Sequence, residues 1–230
     1  MRIPSSFPAL AAAAAAVTAA APATAETRKD EAIWVNATVT GTISDRLVFF
    51  AEVQPRATDG ASRISQVLLR PAIGFAISDS ATLYQGYARV VEPMEVADRH
   101  EDRSFQQLSW SLGSIGKLEV QSRTRLEKRW RSDGPGMALR ARQMMRFESP
   151  LAAGERRTAL MGWAEGLFGL KSASWGQVTG FDQLRAFAGL EVPLRGSSTV
   201  ELGYLNQTRD APGAGVDMAH VASVTFWIRL

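Results

Sequence analysis

The run Lys117-Leu118-Glu119-Val120-Gln121-Ser122-Arg123-Thr124-Arg125-Leu126-Glu127 divides its side chains between two parities. Leu118, Val120, Ser122, Thr124 and Leu126 share one, while Lys117, Glu119, Arg123, Arg125 and Glu127, with Arg129 beyond them, share the other. An extended chain points successive side chains to opposite faces, so the run predicts a strand with one uncharged and one charged face. Three further stretches repeat it. Their uncharged parities are Val67, Leu69, Pro71, Ile73, Phe75, Ile77; then Leu184, Ala186, Ala188, Leu190, Val192, Leu194; then Ala222, Val224, Phe226, Ile228, Leu230. The 22 positions of this parity carry no charge, where a chain that is 21% charged would place about five by chance. The opposite parity of the same segments carries ten charges: Arg70, Lys117, Glu119, Arg123, Arg125, Glu127, Arg129, Arg185, Glu191 and Arg229.

Gly, Pro, Asp and Ser punctuate the chain into eleven candidate strands. They fall at about 32–40, 46–54, 63–77, 81–92, 103–113, 116–130, 136–148, 157–169, 180–194, 198–208 and 218–230. Several run to 11 to 15 residues, longer than ordinary soluble strands and long enough to cross a bilayer when tilted. A closed sheet of ten or more strands is too wide for apolar side chains alone to fill. The last strand ends Thr225-Phe226-Trp227-Ile228-Arg229-Leu230, an aromatic and apolar terminus like that of outer-membrane barrels, although Leu230 stands where phenylalanine is usual. The expectation is an all-β, antiparallel transmembrane β-barrel of 10 to 12 strands with a polar, arginine-rich lumen. The preference of bacterial barrels for even strand numbers favours a twelfth strand, or a first segment outside the wall. Pro71 predicts a bulge or a lost ladder bond, because a closed sheet has no edge on which a missing N–H is harmless. The connections after the even-numbered strands read as the longer ones, which would face the cell exterior.

Residues 1–25 read as a signal peptide: Arg2, an alanine-rich apolar stretch from Phe7 to Ala21, then Ala23-Thr24-Ala25 as a small-x-small cleavage site. The barrel would then occupy 26–230, delivered to the bacterial outer membrane. The 230 residues contain no cysteine and only two histidines, His100 and His220, which removes disulfides, thiolate chemistry and most metal sites. A net charge of +3 is too small to argue for nucleic acid. No cofactor and no metal are expected.

Trp34, Gln106-Gln107 with Trp110, Arg123 to Arg129 followed by Arg140-Ala141-Arg142, Phe181-Asp182-Gln183-Leu184-Arg185, and Glu201-Leu202-Gly203-Tyr204-Leu205-Asn206-Gln207 together resemble the family known as domain of unknown function 2490. The resemblance spans nearly all of the chain after residue 25. It implies an exported outer-membrane β-barrel of unassigned activity, and supplies no mechanism.

The polar parity nominates the lumen-lining charges. They are Arg123, Arg125, Arg129, Glu119 and Glu127 in the sixth segment, Arg140, Arg142 and Arg146 in the seventh, and Glu52, Arg70, Arg89, Glu165, Arg185, Glu191 and Glu201 elsewhere. Such charges either pair into a network that fills the barrel or form a basic track for anions, since guanidinium forks match carboxylate and phosphate oxygens. The expected role is structural or passive-channel, without catalysis. The alternative is a selective channel for acidic small solutes or oligosaccharides. Below it ranks an outer-membrane lipid hydrolase, for which His220 and Ser223 fall on opposite parities. His100, in Asp98-Arg99-His100-Glu101-Asp102, reads as part of a solvated charged loop. Expected partners are outer-membrane lipid, the barrel-assembly machinery through the C-terminal strand, and anionic small solutes.

Overall fold

The computed structural model describes residues 27–154, 157–211 and 215–230, so the expected signal peptide lies outside the described residues. Eleven strands account for almost all of it: β1 (Thr27–Ser44), β2 (Leu47–Thr58), β3 (Arg63–Ala76), β4 (Ala81–Glu92), β5 (Arg99–Ile115), β6 (Leu118–Arg131), β7 (Gly134–Pro150), β8 (Ala159–Lys171), β9 (Gly180–Pro193), β10 (Thr199–Ala211) and β11 (Gly215–Arg229). Each pairs with its sequence neighbours and the sheet closes on itself. Every segment marked by period-two alternation is a strand.

The closure corrects the all-antiparallel expectation. β1 and β11 pair in parallel, from Thr27↔Val216 to Thr40↔Arg229, and the other ten ladders are antiparallel. The cause is arithmetic: eleven strands that alternate direction leave the first and last pointing the same way, so only a parallel ladder can seal the wall. The first segment belongs to the wall, and no twelfth strand is present among the described residues.

Pro71 costs ladder bonds without a bulge. It faces Ala51 of β2 in register, whereas β3–β4 pairing lapses between Leu69↔Arg89 and Ala72↔Gly86 and resumes in the same register. Pro55 does the same on the β1 side, between Trp34↔Arg56 and Ala37↔Val53. In both places the proline has no N–H to give that neighbour. Connections are short at both ends; the two-residue turns Asp45-Arg46, Gly116-Lys117 and Ser132-Asp133 fall at either rim, so the expected difference in loop length is slight. Gly116 takes φ +63°, which its turn requires and a residue with a Cβ resists.

The alternation has the inverted sense. On β3, Leu69 and Ile73 face out at 48% and 57% exposure, while Arg70 between them is 7% exposed inside the barrel. The outer wall carries an apolar belt that includes Ile33, Leu126, Leu160, Leu190, Leu202 and Ile228. Exposed aromatic rings lie toward both ends of the strands, with Phe75, Trp110, Phe147 and Phe226 toward one rim and Tyr87, Trp130, Phe168 and Phe181 toward the other.

The interior is filled from two sides. Trp34, Met161, Phe187, Leu205 and Val221 form one apolar cluster, against which Trp163 stacks on Phe187 with ring centroids 5.6 Å apart. Ala72, Ala88 and Phe105 form a second, joined by Phe50 and Tyr84. Gly86 makes room for it, since a Cβ there would stand 2.1 Å from the Phe105 ring.

Candidate functional site

Between the two apolar clusters the lumen is crossed by a chain of charges. The Arg125 guanidinium carbon lies 4.5 Å from the Phe105 ring centroid, and Arg125 stands 3.7 Å from Glu127. Glu127 accepts from Arg140 at 2.6 Å and from Arg142 Nη1 at 2.9 Å. Arg142 also donates through Nη2 to both oxygens of Glu165, at 2.9 and 2.7 Å. Glu165 takes a further hydrogen bond from Arg123 at 2.8 Å and faces Arg185 at 3.7 Å. Arg185 in turn lies over the Trp34 ring at 5.3 Å, which brings the chain from β5 round to β1.

Strand geometry explains why these groups meet. Arg125↔Arg142 and Glu127↔Arg140 are cross-strand partners of β6 and β7, Met144↔Glu165 joins β7 to β8, and Glu165↔Arg185 joins β8 to β9. Like charges placed directly opposite repel, so Glu127 and Glu165 reach diagonally to screen two or three arginines each. Arg125, Glu127, Arg142 and Glu165 are all at most 4% exposed. An aqueous pore would leave such groups wet; here they have closed on one another.

The other nominated residues sort into satellites of this waist. Arg70 pairs with Glu52 at 2.8 Å on the β2–β3 wall. Arg146 gathers Glu148, Glu191 and Glu201 at 2.9, 2.6 and 2.6 Å, and Trp227 donates to Glu201 at 2.7 Å. Arg129 binds Glu101, which also holds Arg103 at 2.8 Å. Glu119 stands exposed at the mouth with no ion pair among the described residues.

Arg89 is a correction. It lies on the outer wall, where it holds Asp102 at 2.7 Å beside Tyr87, whose hydroxyl donates to the same carboxylate. The inward positions of β4 are Gly86, Ala88 and Val90, because the Phe105 cluster fills that sector; polarity on β4 therefore marks the outer rim instead of the lumen.

Sequence reasoning missed Glu101, Arg103, Arg56 and Gln107. The charged run 98–102 is no loop from Arg99 onward: it opens β5 and turns Glu101 and Arg103 inward, in step with Phe105 and Gln107. Extending the parity of Phe105 backward would have found both. Arg56 likewise continues the inward parity of Phe50, Glu52 and Gln54, two residues past the expected end of β2. Gln107 accepts from Arg125 Nε at 2.9 Å. Tyr84 and Trp163 also pack inside the barrel, against its two apolar clusters.

Beside the waist lies a cavity of about 120 Å³ lined by Trp34, Glu52, Arg142, Glu165 and Arg185, and beyond it toward the rims are two larger cavities of opposite sign. That at the rim of the β2–β3, β4–β5 and β6–β7 turns is about 460 Å³ and is lined by eleven arginines against four carboxylates. The cavity at the other rim is about 590 Å³, with six carboxylates against four arginines. Residues 172–179 fold over the basic mouth: Trp175 donates to Gly136 O at 3.2 Å and lies 5.2 Å from the Arg129 guanidinium, while Arg129 donates to Gln177. At the same rim Asp133 is held below the usual carboxylate range chiefly by its hydrogen bonds from Arg131. His220 is hydrogen-bonded to the Tyr204 hydroxyl on the outer wall and Ser223 faces the lumen, so these two side chains do not meet.

An uncharacterized protein of Methylorubrum extorquens is 43% identical over 208 residues, covering 90% of this chain and 91% of that protein. The family model described as "Protein of unknown function (DUF2490)" matches residues 31–218, from within β1 to within β11. The charged waist, the second apolar cluster and all of the first but Val221 and the adjoining Ala219 fall inside that span, and the chain belongs to this family.

Proposed function

We propose that this protein is an integral β-barrel of the bacterial outer membrane, exported by its N-terminal segment, whose lumen is sealed at the waist and whose role is structural, without catalysis. The observation that carries this reading is the inverted sidedness of the wall: buried ion pairs inside, an apolar belt with aromatic rings toward both rims outside. Lipid tolerates such a surface and water does not. The closed waist favours a structural role over free passage, since ions entering it would have to part hydrogen-bonded pairs.

A second reading, a channel for acidic small solutes or oligosaccharides, draws on the basic mouth and its eleven arginines. Passage would then require the waist to open. Cell fractionation, gel migration before and after boiling, and planar-bilayer recording of the purified protein test both. The protein should enter the outer-membrane fraction, change mobility on boiling and carry no steady current. Recovery in the periplasm without detergent would sink the membrane assignment, and stable anion-selective conductance would favour the second reading.

A further inference from the structure

The charges around the waist do not balance, and beside Trp34 two under-compensated guanidiniums stand together. Arg56 is 8% exposed, yet its guanidinium meets only neutral amides: Gln54 Oε1 at 3.1 and 2.6 Å and Gln66 Oε1 at 3.2 Å. Its face lies on Trp34, 3.8 Å from the ring centroid. Arg185 lies over the same indole and has one carboxylate, Glu165, at 3.7 Å; its Nε is buried without a hydrogen-bond partner. Gln183, 2% exposed, leaves its Nε2 without a partner as well. All three side chains line the basic cavity of about 460 Å³.

A buried guanidinium without a counter-charge is costly, and a guanidinium fork fits a planar or tetrahedral oxyanion. We propose that this vestibule is a binding site for a small multivalent oxyanion, a phosphate or carboxylate compound, held by Arg56, Arg185 and Gln183, with Trp34 backing the two guanidiniums. The cavity has the volume of ordinary small-molecule sites. Glu92 accepts from Gln66 Nε2 at 2.7 Å, which leaves the Gln66 carbonyl turned to Arg56 and orients the fork in advance. Because the ligand reaches the site through the lumen mouth, it is a dissolved solute and not a lipid headgroup. The inference deepens the sealed-lumen reading and rests on it for a vestibule with a single entrance.

The test is thermal unfolding of the purified full-length protein in detergent, titrated with pyrophosphate or citrate against chloride at equal ionic strength. Pyrophosphate or citrate should raise the unfolding temperature saturably and chloride should not. Arg56→Gln and Arg185→Gln should each lose that rise, and Arg56→Gln should remain at least as stable as the parent without anion, because Arg56 has no carboxylate partner whereas Arg185 shares Glu165 with two other arginines. Arg56→Lys keeps the charge but loses the fork, and should weaken binding by about tenfold or more. An equal response to chloride, a full rise in both Gln variants, or a collapse of Arg56→Gln without anion would each overturn the proposal. If Arg56→Gln fails to fold, the proposal falls with it, since an unpaired cation is dispensable. A conducting barrel that keeps the anion response would sink only the sealed-lumen reading; a sealed barrel without the response would sink only this one.

Discussion

Glu165 answers for three arginines at once: Arg142 through both of its oxygens, Arg123 through one, and Arg185 at longer range. At 2% exposure it has no water to take over if its charge is removed. Glu165→Gln keeps the shape and deletes the charge, so it leaves buried guanidiniums facing one another. The expected loss is about 3–5 kcal/mol of stability, the range for breaking a buried pair from one side. Glu119→Gln is the matched control, since Glu119 is exposed at the mouth and has no ion pair among the described residues; its change should stay within about 0.5 kcal/mol. Denaturant unfolding of the two variants in the same detergent, followed by the gel-mobility shift, checks this. Equal losses would mean that Glu165 is not the keystone of the waist.

Among the strands, the parallel β1–β11 ladder is the element that sequence reading failed to see, and it can be tested directly. Ile33 and Ala222 are partners in it and both face outward. Because the chain has no cysteine, Ile33→Cys with Ala222→Cys should give one intramolecular disulfide on mild oxidation, whereas Ile33→Cys with Ile228→Cys should give none. The reverse result would mean a different closure. The rest of the wall was legible because four segments keep one face uncharged over five or six successive positions, which fixes the period, while strand length and the width of a closed sheet pointed to the facing side. β4 was illegible for the complementary reason. Its inward residues Gly86, Ala88 and Val90 are small or apolar, so Arg89 stands out as polar on the wrong face. The start of β5 was lost because a cluster of charges reads as a solvated loop until the lumen that absorbs Glu101 and Arg103 is known. The ion pairs themselves are set by diagonal reach across strands, which no single segment encodes.

The outer belt and the waist make separable demands on the barrel. Leu126 lies midway along β6 and is 44% exposed on the outer wall. In water, Leu126→Arg would be nearly neutral; in a bilayer, an arginine near the midplane costs about 2–4 kcal/mol. Refolding into lipid vesicles should therefore show that loss, and its absence would remove the membrane from the account. The waist is probed from inside by Arg125→Ala with Arg142→Ala. Arg142 alone ties Glu127 to Glu165, and Arg125 joins that pair to the Phe105 cluster, so the double change cuts the chain of contacts in two places. A sealed barrel predicts a parent without conductance and a double variant less stable by at least about 3–5 kcal/mol, because Glu127 and Glu165 lose part of their compensation. An open basic lumen predicts the opposite pairing of results: an anion-selective parent, a reversal potential that moves toward cations when the two charges go, and little change in unfolding. Measuring both quantities on one preparation separates these cases. If neither quantity moved, the two arginines would have to face bulk water, which their 2% and 4% exposure contradicts.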